Sequence, residues 1–220
     1  MQTKINPQEK TEKIMKYLFF DIEGACPKLC TVATFGYVLS DEKFNIKEKT
    51  DILMNPDSKY DWYVVKNLLS YSKKTLAEKP KFDAHYGKIK ALLEDKDTLV
   101  CGYSIVNDLK YLNSECKRYS LPSFDFSFMD IQMLADSFFE SKNQIGIERA
   151  YNMLGIEDTM ILHRSDEDAR AAMNVAKAIC KIENSNLFDL AKKHGATGHN
   201  KDYIYEFDAK PPKKVKNTNL

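Results

Sequence analysis

In the stretch YLFFDIEG, an apolar run ends in two carboxylates one residue apart, Asp21 and Glu23. A strand alternates its faces with period two, so both acids point to one side, where like charges repel. Two arrangements relieve the repulsion. A turn at Gly24 can leave both acids in water, or a divalent cation can sit between them; hard cations such as Mg2+ and Mn2+ prefer carboxylate oxygens. Two further acids stand near the starts of helices, Asp108 at a strand–helix junction of the kind where α/β sheets gather ligands. Asp108 follows the buried-strand pattern TLVCGYS by a few residues, and Asp168 lies early in a long helical pattern. Each taken singly is also an ordinary first-turn acid favoured by the helix dipole. His163 lies five residues before Asp168, in the loop that opens HRSDEDAR. Histidine titrates near neutrality, which suits a group that must accept a proton from water.

The elements that must position these residues are readable from periodicity. KYLFFDIEG, TVATFGYVLSD and FNIKEKTDILMNP are three strand-like runs with short connections, an antiparallel meander. FDAHYGKIKALLEDKD reads as a helix with Tyr86, Ile89 and Leu93 near one face, and TLVCGYS as a short strand. Ile105, Leu109, Leu112 and Cys116 then mark a helical stripe flanked by Asp108. FDFSFMD is strand-like and leads into the helix IQMLADSFF; IGIERAYNMLGI is a short helix stopped by Gly155. Asp166 to Glu183 forms a long amphipathic helix with Ala169, Ala172, Met173, Ala176 and Ile179 on its apolar face and Ser165 as its N-cap. The expected class is α/β, a mixed sheet of three antiparallel strands followed by parallel ones, flanked by helices.

At 220 residues the chain suits one domain, expected over 16–195, between a polar N-terminal tail at 1–15 and a basic C-terminal tail at 196–220. A net charge of +1 gives no global field toward nucleic acid or membrane, so any polyanion site must be local. The five cysteines lack framework spacing, and the one close pair, Cys26 and Cys30, has no second pair to complete a zinc site. There is no apolar run of about 18 residues and the N-terminus is polar, so neither a membrane span nor a secretory signal is expected, and the expected location is cytoplasmic.

The ordered set, Asp-x-Glu closing the first strand, Asp about 85 residues on, and His-x4-Asp opening a late helix, resembles the DEDDh group of 3′–5′ exonucleases. These are DnaQ-like proteins with a ribonuclease H-like fold. The resemblance spans roughly residues 16 to 182, and NQIGIERAYNMLGIED is similar to the short helix and loop that precede the family's histidine. It implies that Asp21, Glu23 and Asp168 hold one Mg2+ or Mn2+, that Asp21 also reaches a second, and that Asp108 completes the second site. It implies too that His163 takes a proton from the attacking water while the terminal nucleotide leaves as a monophosphate.

The chain departs from the family around the substrate. Where many relatives carry two threonines after Asp-x-Glu, this sequence has Gly24 and Ala25, which leave backbone groups for the terminal sugar. Where relatives have Gly-His-Asn and then an aromatic before the third acid, it has Tyr103, Ser104 and Asn107. Residues 55–82 show no clear periodicity but interleave Tyr60, Trp62, Tyr63, Tyr71 and Phe82 with six lysines. Such a segment either grips single strands by stacking or contributes its aromatics to the core and its lysines to solvent. The expected substrate contacts are therefore Gly24, Ala25, Tyr103, Asn107 and Trp62. The expected substrate is a nucleic acid with a 3′ end, single strands favoured. HRSDEDA resembles polymerase-associated relatives, which favours DNA, with any polymerase a partner in trans; trimming of RNA 3′ ends is the alternative. A catalytically silent binding module is the rival reading, and its usual sign, a lost acid or histidine, is absent here.

Overall fold

The run that ends in the two acids is the central strand of a six-stranded mixed sheet. A computed structural model describes residues 15–203 other than 160 and 162. The strands are β1 (Lys16–Cys26), β2 (Thr31–Asp41), β3 (Ile46–Leu53), β4 (Thr98–Gly102), β5 (Ser127–Asp130) and β6 (Thr197–His199), in the spatial order β3-β2-β1-β4-β5-β6. The pairs β1/β2 and β2/β3 are antiparallel, β1/β4 and β4/β5 parallel, and β5/β6 antiparallel. Because β1 is central, its apolar run is buried on both faces. Tyr17 and Phe19 enter one core, and Leu18, Phe20 and Ile22 the other. Burying a large apolar side chain of this kind contributes about 1.5–3 kcal/mol.

The helices are α1 (Trp62–Asn67), α2 (Lys73–Ala77), α3 (Phe82–Leu93), α4 (Val106–Arg118), α5 (Ile131–Phe138), α6 (Ile147–Leu154), α7 (Ser165–Glu183) and α8 (Leu187–His194). α3 and α4 cover one face of the sheet, where the stripe Ile105, Leu109, Leu112 and Cys116 is fully buried. α5 to α8 cover the other, and the expected face of α7 is buried throughout. α6 stops at Gly155, whose φ of 63° is left-handed.

Two expectations are corrected, and two stretches hold more structure than their pattern gave. Residues 55–82, which show no clear periodicity in sequence, hold two short helices: Asp61 caps α1 through the N–H groups of Tyr63 and Val64, and Ser72 caps α2 through Thr75. Helices of six and five residues are too short to show a periodic face, so only their caps could have betrayed them. Ser165 is not the N-cap of α7; it is the first helical residue, and its hydroxyl is turned toward the sheet. The expected boundary at 195 falls inside the fold, because α8 leads into β6 and then a 3-10 turn at Asn200–Tyr203, with Asn200 buried. The tail therefore cannot begin at 196; the expected tails at 1–14 and 204–220 lie outside the described residues. The expected mixed sheet is present, and β6 extends it by one antiparallel edge strand. Among the described residues, no helix is long and apolar enough to cross a membrane.

Candidate active site

The parallel ladder between β1 and β4 ends at Phe19 and Cys101, so the last turn of β1 runs on with a free edge. Asp108, in the first turn of α4, covers that edge: the Ile22 N–H donates to its Oδ1 at 3.1 Å. The turn that delivers α4 is braced by Asp130, whose two carboxylate oxygens accept from the Ser104 and Ile105 N–H groups at 3.2 and 3.1 Å. Ser104 itself is left-handed, with φ 57°.

Asp21 and Glu23 project from the other face of β1, toward α7. Asp168 reaches them from the first turn of that helix, and one oxygen from each of the three carboxylates lies within 4.8 Å of the others. Three of the four expected acids thus converge, with the fourth across the strand. This approach depends on Gly36. A Cβ there would lie 2.0 Å from the Ser165 carbonyl carbon and the Asp166 backbone nitrogen, so only a glycine lets α7 rest against β2 at this point.

Neighbouring acids are neutralised while these are not. Asp166 is held by Arg164 and Lys49, and Glu167 by Lys49 and Arg170. Among the described residues, no lysine or arginine forms an ion pair with Asp21, Glu23, Asp108 or Asp168. Burial, then the charges of Asp168 and Asp51, raise the Glu23 carboxyl to about 8. Burial, with Asp166 and Glu167 nearby, raises Asp168 to about 7 against the hydrogen bond it receives from His163. Asp21 and Asp108 are pushed well above the carboxylate range, in each case by burial first; the charges of Asp108, Asp168 and Glu23 add to it at Asp21, and those of Glu23 and Asp130 at Asp108. A set of hard oxygen donors that repel one another and lack a protein cation fits a divalent metal ion.

His163 sits at the rim, with Nδ1 3.9 Å from Glu23 Oε1 and its side chain 48% exposed. Its φ is 64°, a conformation that costs a non-glycine residue of order 1–2 kcal/mol and is held only when its surroundings impose it. Two hydrogen bonds do so. The His163 N–H donates to Asp168 Oδ2 at 2.9 Å, and Ser70 Oγ donates to the His163 carbonyl at 2.5 Å. The imidazole is thereby tied by its own backbone to one of the clustered acids.

The expected substrate contacts separate. Gly24 lies beneath Tyr111 of α4, and a Cβ there would meet the ring at 2.3 Å. Ala25 is buried in a small core with Ala33 and Leu76, and its carbonyl accepts from the Asp61 N–H at 2.9 Å, which fastens α1 beside the acids. Trp62 on that helix is 71% exposed, with Lys66 over its ring, while Tyr63 is also exposed. Tyr60 and Tyr71 instead pack against the small core, and Phe82, the first residue of α3, is buried between that helix and the sheet. The aromatic segment therefore does both things the sequence left open. Tyr103 turns away, its hydroxyl donating to the Ile145 carbonyl at 2.6 Å; the exposed Asn107 donates to Ser104 Oγ at 3.1 Å. Sequence reasoning missed Asp51, Tyr111 and Ser70. An inward acid on the alternating run KEKTDIL, and an aromatic three residues after Asp108, were the available signals.

The model of a family described as exonuclease matches residues 18–176. The chain belongs to the exonuclease family. Asp21, Glu23, Asp108, His163 and Asp168 all lie within the matched residues, on the mixed sheet described above. The fold is similar to the nuclease domain of 3'hExo, a DEDDh family member, bound to rAMP, with a TM-score of 0.68, 15% identity, and 78% of this chain and 94% of that one covered. It is similar to a 3'-exonuclease recognising the histone mRNA stem-loop, with a TM-score of 0.68, 14% identity, and 77% of this chain and 64% of that one covered. It is also similar to E. coli Exonuclease I in complex with a dA16 oligonucleotide, with a TM-score of 0.65 and 20% identity over 82% of this chain. The chain matches 43% of the length of Exonuclease I and 64% of the stem-loop exonuclease. No curated protein matches the sequence.

Proposed function

We propose that this exonuclease-family chain is a metal-dependent 3′–5′ exonuclease that releases nucleoside monophosphates from the 3′ ends of single-stranded nucleic acid. The observation that carries the reading is the convergence of Asp21, Glu23 and Asp168, with no lysine or arginine paired to them among the described residues, beside the tethered His163. Asp21, Glu23 and Asp168 would hold one Mg2+ or Mn2+, and Asp21 with Asp108 a second; such ions supply charge neutralisation and Lewis acidity at the phosphodiester.

The chain's own residues do the rest. His163 accepts the proton of the attacking water as its oxygen bonds to phosphorus and the bond to the departing 3′ oxygen breaks. Half exposed at the rim, the imidazole is reachable by water and by a strand end, and its two backbone hydrogen bonds fix where it stands. Trp62 and Tyr63, exposed beside Lys66 on a helix fastened to Ala25, offer stacking faces for the bases upstream of the cleaved bond. DNA is the favoured strand, on the likeness of the histidine loop to polymerase-associated relatives, with any polymerase acting in trans. The solved structures it resembles hold RNA in one case and DNA in another, so the test carries both.

The test is a ladder assay. Matched 5′-labelled DNA and RNA oligonucleotides are incubated with Mg2+, Mn2+ or chelator, beside Asp21→Ala and His163→Ala. The expected outcome is stepwise metal-dependent shortening from the 3′ end, abolished in Asp21→Ala and reduced about 100-fold or more in His163→Ala. Binding without shortening under either metal would overturn the reading in favour of a silent binding module.

A further inference from the structure

Ser165 is completely buried as the first residue of its helix. Its hydroxyl donates to Asp51 Oδ1 on β3 at 2.8 Å and shares a 2.7 Å hydrogen bond with Thr34 Oγ1 on β2. The register explains why these groups meet. Thr34 is paired with Glu23, and Gly36 with Asp21 on one side and Asp51 on the other. Thr34 and Gly36 therefore lie on the same face of the sheet as the two acids of β1. Asp51 occupies the row of Asp21, one strand beyond the gap that Gly36 leaves for the helix. Ser165 and Asp168 are three residues apart on α7 and so share a helical face.

We infer that Thr34, Gly36, Asp51 and Ser165 form a seat that sets the rotation and depth of the first turn of α7, and that Ser165 and Asp51 are positioning residues for the metal ligand Asp168. The inference rests on the proposed metal site. Gly36 sets the depth, because backbone atoms of Ser165 and Asp166 occupy the space of its absent side chain. The Thr34–Ser165–Asp51 chain sets the rotation, because a hydroxyl bonded to two strands leaves the helix no freedom to turn about its axis. Asp51 acts here as a hydrogen-bond acceptor for Ser165, not as a ligand.

The test measures Mn2+ binding by calorimetry on the full chain without nucleic acid. The variants are Ser165→Ala, Thr34→Val, Asp51→Ala, Asp51→Asn and Asp168→Ala, with far-UV circular dichroism to confirm the fold. Groups that orient a metal ligand through a hydrogen bond typically change affinity about 10- to 100-fold when removed. Ser165→Ala and Asp51→Ala are expected to weaken Mn2+ binding about tenfold on that basis, and Thr34→Val, which keeps the side-chain shape, by less. Asp51→Asn retains an oxygen that accepts from Ser165 and is expected to bind within about threefold of the unmodified chain, a rescue that a direct electrostatic role would not give. Unchanged affinity in Ser165→Ala and Thr34→Val would overturn the seat. So would an Asp51→Asn variant as weak as Asp51→Ala, which would show that the charge itself is used. If the unmodified chain binds no Mn2+, or Asp168→Ala binds it equally well, the metal site fails and the seat with it. Failure of the seat alone leaves Asp168→Ala weak and Ser165→Ala normal.

Discussion

Replacing Glu23 by glutamine should make the metal-free protein more stable while removing its response to metal. In the folded chain Glu23 is raised from an ordinary value of 4.5 to about 8, by burial and then by the charges of Asp168 and Asp51. Between those two values the folded state binds the proton that the unfolded state has released, so the stability of the metal-free protein falls as pH rises through the window. At pH 7 the unfolded chain has gained about 2.5 pH units of ionisation that the folded one resists, which at 1.36 kcal/mol each amounts to roughly 3 kcal/mol. Glutamine keeps the shape and carries no such cost. In EDTA, Glu23→Gln should match the unmodified protein near pH 4.5 and exceed it by up to roughly 3 kcal/mol at pH 7, or about 6–12 °C in Tm for a chain of this size. With Mn2+ at 100 times its Kd the unmodified protein gains about 2.7 kcal/mol and the variant little, so the gap closes. Thermal unfolding from pH 4.5 to 8, with EDTA and with Mn2+, reads all four arms. A variant less stable than its parent in EDTA at pH 7, or a difference that does not change with pH, would refute the account of the site as mutually repelling carboxylates awaiting a cation.

Two further outcomes follow from the surroundings of the acids. Trp62→Ala, on a side chain 71% exposed, should leave the fold intact and raise KM for oligonucleotides roughly 5- to 150-fold, the equivalent of one stacked base at about 1–3 kcal/mol. Turnover of a nucleoside p-nitrophenyl phosphate, which has no upstream base, should be unchanged, and equal losses on both substrates would show that the indole does not stack. Gly24→Ala places a methyl 2.3 Å from the Tyr111 ring and should lower stability by about 1–3 kcal/mol in urea unfolding. The double variant with Tyr111→Leu should recover most of that loss; an unchanged midpoint in the single variant would show that the ring has room to move.

Local pattern was enough to assign each of the four acids to its element. Alternation along YLFFDIEG put Asp21 and Glu23 on one face, and the stripe from Ile105 to Cys116 placed Asp108 at the start of a helix, because each signal spans only a few residues of one element. The mixed sheet was legible for the same reason. Elements too short for a period were not: α1, α2 and β6 exist because Asp61 and Ser72 cap them or because β5 offers a partner edge. Ser165 reads as a cap in sequence, since capping is the local use of a serine before a helix, yet a stronger pair of partners on β2 and β3 claims its hydroxyl. The aromatics of 55–82 could not be sorted by pattern, because the small core that takes Tyr60 and Tyr71 and leaves Trp62 outside joins Leu76 of the segment to Ala25 and Ala33, which are distant in the chain. The sequence by itself determined on which elements the four acids and the histidine stand. Tertiary structure alone decided that they meet, since the approach of Asp168 to Asp21 and Glu23 depends on the order of the strands and on a missing side chain at Gly36.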